Sequence, residues 1–302
     1  MGARDLPGEV GVGIGREFVV FDTETTGMPP GGRLVEIGAL KVRGEAVVER
    51  FERLVFPEGP IPPEVTAIHG ITDAMVADAD DARRVVKDFL DWTGAAPLLG
   101  HNVSFDAAML AAECRRFGLA LPDNPTWCTL RAARGLLKGR SHSLESLVLE
   151  LGLPPARHHR ALDDAQHTLN LWWRLCEVGG AAGRGADAAR GKNLSHFAPE
   201  DPRLAGRDEM LREASLMGEA VDLSYRLASG YVSALRVTPR MFFRRGGHLW
   251  MEALCHDACY YKTYRLDRVA GARNCPDAAP VAPRRFPRRP AAESVDDLRS
   301  NR

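Results

Sequence analysis

Phe18-Val19-Val20-Phe21 is an unbroken apolar run that ends abruptly at Asp22. A short apolar run closed by polar residues predicts a buried strand over 17–22. Leu34 to Val42 alternates around Val35, Ile37 and Ala39, Gly44 supplies a turn, and Ala46 to Phe56 carries Val47, Phe51 and Val55 as anchors. Three strands joined by short turns predict an antiparallel meander. Pro57 to Pro63 breaks that pattern, and Glu64 to Thr72 predicts short helical turns and loop. Further on, Asp80–Trp92, Val103–Phe117, Leu130–Leu137, Leu144–Leu151 and Ala161–Glu177 show helical spacing, with Ser143 placed to cap the fourth. Pro97–Gly100 and Thr126–Thr129 fit short strands between them. Strands first, then alternating helices and strands, predict an α/β domain with a mixed sheet and helices on its faces.

The second half has another texture. Residues 179–206 open with GGAAGRGADAARGK, poor in bulky apolar groups, and predict a linker. Residues 207–218 predict a helix, and Ala220–Val269 a mostly-β domain of short strands with Gly turns, ending near 272. Residues 1–15 and the Pro/Arg-rich 273–302 predict disorder.

Charge sharpens this division. Residues 1–178 hold 19 Lys/Arg against 25 Asp/Glu, and residues 179–302 hold 21 against 15, so −6 and +6 cancel to the formal zero. An acidic half beside a basic one fits a metal-dependent domain attached to an anion-binding one. No apolar run reaches transmembrane length, which predicts no membrane partner. The six Cys are scattered and suggest no secreted framework, so a reducing cytoplasm is expected. Cys255 and Cys259 lack a second pair to complete a zinc site.

Asp22 and Glu24 stand two apart at the end of the first strand, so both carboxylates project from one face. Two adjacent carboxylates repel, and an oxygen-only pair suits Mg²⁺ or Mn²⁺ rather than zinc. Thr25-Thr26-Gly27 follows, offering hydroxyls and backbone N–H groups beside them. A second cluster, His101-Asn102-Val103-Ser104-Phe105-Asp106, sits where a buried strand hands over to a helix. A third, His158-His159-Arg160-Ala161-Leu162-Asp163-Asp164-Ala165, precedes the last long helix. Taken alone, Asp106 and the Asp163-Asp164 pair equally suit helix N-terminal charge.

FDTETTG, HNVSFD and HRALDDA, in this order, resemble the three motifs of the DEDDh-type 3′–5′ exonucleases, the family of the DNA polymerase III epsilon proofreading subunit. The resemblance spans 16–178. It implies a ribonuclease-H-like fold and two Mg²⁺ (or Mn²⁺) ions on Asp22, Glu24, Asp106 and Asp164. It implies His159 as general base, with His158 and Asp163 as near-miss alternatives in register. Thr25, Thr26, Gly27, His69, Asn102 and Phe105 are the expected substrate contacts. The substrate implied is DNA, as single strands or 3′ ends, or RNA, and a replication or repair protein is a conceivable partner.

Residues 207–272 resemble a WYL domain, through Ala220–Tyr225, Arg236–Pro239 and Tyr264-Arg265-Leu266-Asp267-Arg268-Val269. They depart from it at the name-giving motif, where Leu249-Trp250-Met251 stands instead. The resemblance implies a nucleic-acid or nucleotide ligand, with Arg236, Arg265 and Arg268 as candidate phosphate contacts. The competing expectation is a WYL-type sensing regulator carrying an inactive nuclease domain. The presence of all five catalytic residues, and of no helix-turn-helix before residue 207, argues against it.

Overall fold

A computed structural model of the protein describes residues 14–139, 141–154, 159–179 and 184–285. His158, and the segments 1–13 and 286–302 expected to be disordered, lie outside them. The first sheet has seven strands in the order β4-β3-β2-β1-β5-β6-β7. They are β1 (Glu17–Thr25), β2 (Leu34–Arg43), β3 (Ala46–Phe56), β4 (Asp80–Asp81), β5 (Leu98–Gly100), β6 (Pro125–Cys128) and β7 (Arg190–Asn193). β1, β2 and β3 form the expected antiparallel meander, and β5 joins β1 in parallel.

Alternation along β1 sorts the helices onto two faces. Val19 and Phe21 join a core with α3 (Ala82–Thr93) and α4 (Ser104–Phe117). Phe18 and Val20 join another with α5 (Thr129–Leu136), α6 (Leu144–Glu150), α7 (Ala161–Gly179) and α8 (Arg184–Ala189). The short α1 (Pro63–His69) and α2 (Asp73–Val76) close the end near β3. The Ser143 side chain accepts from the Ser146 N–H and caps α6 as expected.

The linker expectation needs correction. Within 184–206 the chain forms α8 and β7, and β7 pairs antiparallel with β6. Leu194 follows, fully buried in the α3/α4 core. Small residues serve here because the packing is close: a Cβ on Gly191 would lie 2.6 Å from Thr126 Oγ1.

The second sheet has five strands in the order β11-β10-β9-β8-β12, all antiparallel. They are β8 (Ala220–Arg226), β9 (Val232–Arg245), β10 (His248–Cys255), β11 (Tyr260–Arg265) and β12 (Val269–Cys275), covered by α9 (Arg207–Met217). β12 runs past the expected boundary at 272, because Asn274 and Cys275 still pair with Val221 and Ala220. The described part of the expected disordered tail also returns to the body: the Arg285 guanidinium donates to the Ala77 and Ala79 carbonyls and lies over the Phe56 ring.

The two sheets meet across a closed ring of alternating charges. Arg33 Nη2 lies 2.6 Å from Glu58 Oε2, and the same oxygen lies 2.7 Å from Arg240 Nη1. Arg240 Nη2 is 2.7 Å from Glu252 Oε1, which is 2.9 Å from Arg116 Nε. Arg116 Nη1 reaches Glu113 Oε2 at 2.9 Å, and Glu113 Oε1 returns to Arg33 Nε at 3.3 Å. Four members come from the first body, while Arg240 and Glu252 come from β9 and β10. Burial pushes the Glu252 carboxyl up, but Arg116, Arg240 and Arg33 outweigh it and hold the group well below the usual range. Glu113 is held low against burial in the same way, by Arg116 and Arg33. No helix among the described residues is long and apolar enough to cross a membrane.

Candidate active site

The site forms where β1 ends. In register, Asp22 faces Gly38 and Glu24 faces Glu36 on β2. α7 starts directly over this point, because Gly38 has no side chain. A Cβ there would lie 2.0 Å from the Leu162 nitrogen and 2.2 Å from the Ala161 carbonyl carbon. Glu36, fully buried, fastens the helix start: it accepts from Arg160 Nε at 3.1 Å and from the Ala161 N–H at 3.0 Å. Asp164 is thereby set above Glu24.

His159 precedes Arg160 with φ 62°, a left-handed conformation uncommon for a residue with a side chain. Its N–H donates to Asp164 Oδ2 at 2.9 Å. Ligand atoms of Glu24, His159 and Asp164 all lie within 4.8 Å of one another. On the other side of Asp164, His167 Nδ1 lies 3.4 Å from its Oδ1.

Asp106 arrives from the opposite face of the sheet. Thr23, between the two acidic residues of β1, points that way. Asp106 Oδ1 accepts from the Thr23 hydroxyl at 2.6 Å and from the Thr23 N–H at 3.0 Å. Alternation in one strand thus serves two helices: Asp22 and Glu24 turn toward α7, and Thr23 holds the first turn of α4.

The electrostatics express this crowding. Burial, then Asp106, Glu24, Asp164 and Glu36, push the Asp22 carboxyl well above its ordinary range. Burial, followed by Asp164, Glu36 and Asp106, raises Glu24 to about 8, with Arg160 opposing. Burial raises Asp106 to about 7 although the Thr23 hydrogen bonds pull the other way. Glu24 and Asp164 bring ligand atoms within 4.8 Å of each other, and Asp22 and Asp106 act on them electrostatically; such a set of oxygens suits a hard divalent ion, whose charge offsets both the burial and the repulsion.

The other expected contacts divide. Thr25 ends β1, and Thr26 and Gly27 begin the bend after it; the Thr26 N–H donates to the Arg33 carbonyl and its hydroxyl accepts from the Arg33 N–H. His69 is buried, and its Nδ1 accepts from the Ile71 N–H at 2.9 Å, which leaves the proton on Nε2. Burial first, then His159 and Arg160 nearby, lowers its pKa. Asn102 is exposed, in the left-handed region with φ 62°, and Phe105 is half-buried on the first turn of α4. The neighbouring His101 is structural: its ring nitrogens reach Thr129 Oγ1 and the His142 carbonyl, and burial lowers it to about 4.

The three C-terminal arginines do not form one patch. Arg236 faces Asp222 across β8 and β9 and donates to both its oxygens, at 2.7 and 3.1 Å. Arg265 lies at the far end of the sheet, beside Trp250, and donates to Asp267. Arg268 is near enough to help lower the Asp267 carboxyl, behind the larger effect of Arg265. Two of the three therefore already carry an anion of the protein's own.

Sequence reasoning missed Glu36, Gly38, Arg160 and Thr23. One signal was present: Glu36 is the lone acid in the apolar stretch Leu34-Val35-Glu36-Ile37.

The exonuclease family model matches residues 19–172, and the WYL domain model matches 209–274. A DNA polymerase III of the PolC type from Oceanobacillus iheyensis is 39% identical over 162 residues, which is 53% of this chain and 11% of that protein. The Thermotoga maritima protein of the same name is 38% identical over 162 residues, 53% of this chain and 12% of its own. The chain thus matches only about a tenth of these relatives' length. Among solved structures, one described as exonuclease X in complex with 5′ overhanging duplex DNA is 32% identical, with a TM-score of 0.44. It covers 57% of this chain and 98% of that one. Exonucleases of this fold are metal-dependent. With its family model matched over half the sequence and the motif residues gathered at one strand end, the chain belongs to the exonuclease family.

Proposed function

We propose that this protein is a metal-dependent 3′–5′ exonuclease that releases nucleoside 5′-monophosphates from the 3′ end of DNA. The observation that carries this is the convergence of Glu24, His159 and Asp164 within 4.8 Å, with Asp22 and Asp106 alongside. Asp22, Glu24, Asp164 and Asp106 would hold Mg²⁺ or Mn²⁺. Bound there, two such ions would supply charge stabilisation at the scissile phosphate and an activated water. His159 is exposed at the rim of the cluster, where its imidazole can serve as a general base. Its backbone bond to Asp164 holds it over the carboxylates. The segment Thr25–Gly27 offers the polar groups next to Glu24 that a terminal nucleotide would need.

DNA rather than RNA is favoured by the polymerase relatives, whose names state DNA synthesis. A replication or repair protein is a fitting partner on the same ground. The sensing regulator with an inactive nuclease domain is disfavoured, because none of the five candidate catalytic residues is substituted.

The test is incubation of the protein with 3′- and 5′-labelled single-stranded DNA and RNA in Mg²⁺, Mn²⁺ or EDTA. Mononucleotide release from the 3′ end, abolished by EDTA and slowed about 10²–10⁴-fold in His159→Ala, is expected. Full turnover in EDTA would overturn the assignment.

A further inference from the structure

Between the two sheets, next to Thr26, lies a groove of about 400 Å³. One wall is Thr26, Gly31 and Arg33 with Pro57, Gly59 and Pro60; the other is the strand β11, from Tyr260 to Thr263. β11 is the edge strand of the second sheet, so its outer side is unpaired in that sheet. The Tyr261 N–H donates to the Glu58 carbonyl at 3.2 Å, which ties β11 to the segment after β3. Tyr260 packs close to Gly59.

We propose that this groove is the track for the single strand behind its 3′ end, with β11 supplying one wall. The inference rests on the exonuclease assignment and adds where the second domain touches substrate. Three features of the groove point to a single-stranded nucleic acid. It begins at Thr26, two residues beyond the acidic pair of β1, so a chain whose end lies at the carboxylates can continue into it. Its lining combines an aromatic ring with a cation, both half-buried: the Lys262 ammonium lies 4.8 Å from the centre of the Tyr260 ring. Aromatic platforms and basic side chains along a groove are how single strands are held without sequence preference. The charge beneath it is already neutralised, since Arg33 and Arg240 are members of the closed ring and flank the Tyr261 ring at 6.0 and 3.3 Å. Lys262, in contrast, rests against the Tyr260 ring rather than against a carboxylate among the described residues.

The ring also explains why a wall from a different domain can serve a precise site. Arg116, which bonds Glu252 on β10, donates as well to the Pro30 and Gly32 carbonyls of the bend after β1. One guanidinium therefore fixes both the second sheet and the loop that leads out of the active site. Tyr260 and Lys262 are positioning and binding residues.

Fluorescence anisotropy of the full-length protein in EDTA, with labelled dT3 and dT15, tests the track, using Tyr260→Ala, Lys262→Ala and Tyr260→Phe. Tyr260→Ala should bind dT15 about tenfold more weakly and Tyr260→Phe should not, since stacking needs only the ring. Lys262→Ala should flatten the log–log salt dependence by about 0.7, the value for one phosphate contact on a single strand. Unchanged dT15 affinity and salt slope in both alanine variants would overturn the track. Failure of the wild type to cleave dT3 in Mg²⁺ would instead overturn the exonuclease assignment, and the binding arm would still decide the groove.

Discussion

Replacing Glu24 by glutamine should make the metal-free protein more stable at pH 8, although it removes a candidate metal ligand. The folded-state value of about 8 for Glu24 stands against an ordinary 4.5. A carboxyl raised on folding contributes stability that is fully present below the unfolded value and is lost as pH rises through the folded one. Each tenfold change in proton affinity is worth about 1.4 kcal/mol, so the wild type should lose about 4 kcal/mol between pH 4.5 and 8 from this group alone. Two other sets of groups must be kept apart. Glu252, Glu113 and Asp222 are held low, so their stabilisation is present above the ordinary carboxylate range and fades only in acid below it. His101, lowered to about 4, acts between that value and the free imidazole range, where its stability contribution rises with pH. Taking the difference between wild type and Glu24→Gln at each pH cancels these sets and leaves Glu24 together with the relief that its removal gives Asp22, which acts in the same direction. Urea denaturation in EDTA at pH 5, 6, 7 and 8 should show Glu24→Gln gaining on the wild type with each step, by a few kcal/mol in total. Adding Mg²⁺ should stabilise the wild type and do far less for the variant. A difference that stays flat with pH, or a variant less stable than wild type at pH 8 in EDTA, would refute the picture of carboxylates held together against their repulsion.

Three further outcomes follow from particular contacts. Gly38→Ala should both destabilise the protein and abolish nuclease activity, because its Cβ would meet α7 backbone that cannot yield without displacing Asp164; thermal melting and a turnover assay read the two effects. Glu252→Gln should cost about 3–5 kcal/mol in urea denaturation, the range for breaking a buried ion pair, since Arg116 and Arg240 lose their shared carboxylate; a loss under about 1 kcal/mol would mean that water replaces it. A chain ended at Val178 keeps every candidate metal ligand but loses β7, Leu194, Arg240 and Glu252, so it should lose cooperative unfolding, as followed by circular dichroism.

Much of the active site was legible in the chain because its chemistry is local. Strand alternation by itself put Asp22 and Glu24 on one face, whereas Asp106, His159 and Asp164 were singled out only by the resemblance of HNVSFD and HRALDDA to the exonuclease motifs. The meander, the α6 cap at Ser143 and the division into two bodies were legible from local pattern as well. What the sequence could not disclose depends on partners far away in the chain. Glu36 is an anomaly in a strand until Arg160, distant in sequence, is seen to bond it. The segment 184–206 looked like a linker because small residues carry little hydrophobic signal, whereas those same small residues let β7 press against β6. Arg236 and Arg265 looked available to phosphate because a sequence shows charge and conceals pairing; tertiary structure gave them Asp222 and Asp267. The ring of Arg33, Glu58, Glu113, Arg116, Arg240 and Glu252 was illegible for the deepest reason. No two of its cross-domain partners share a local pattern, and holding six charges, four of them buried, becomes tolerable only when the folded chain brings all of them together in alternation.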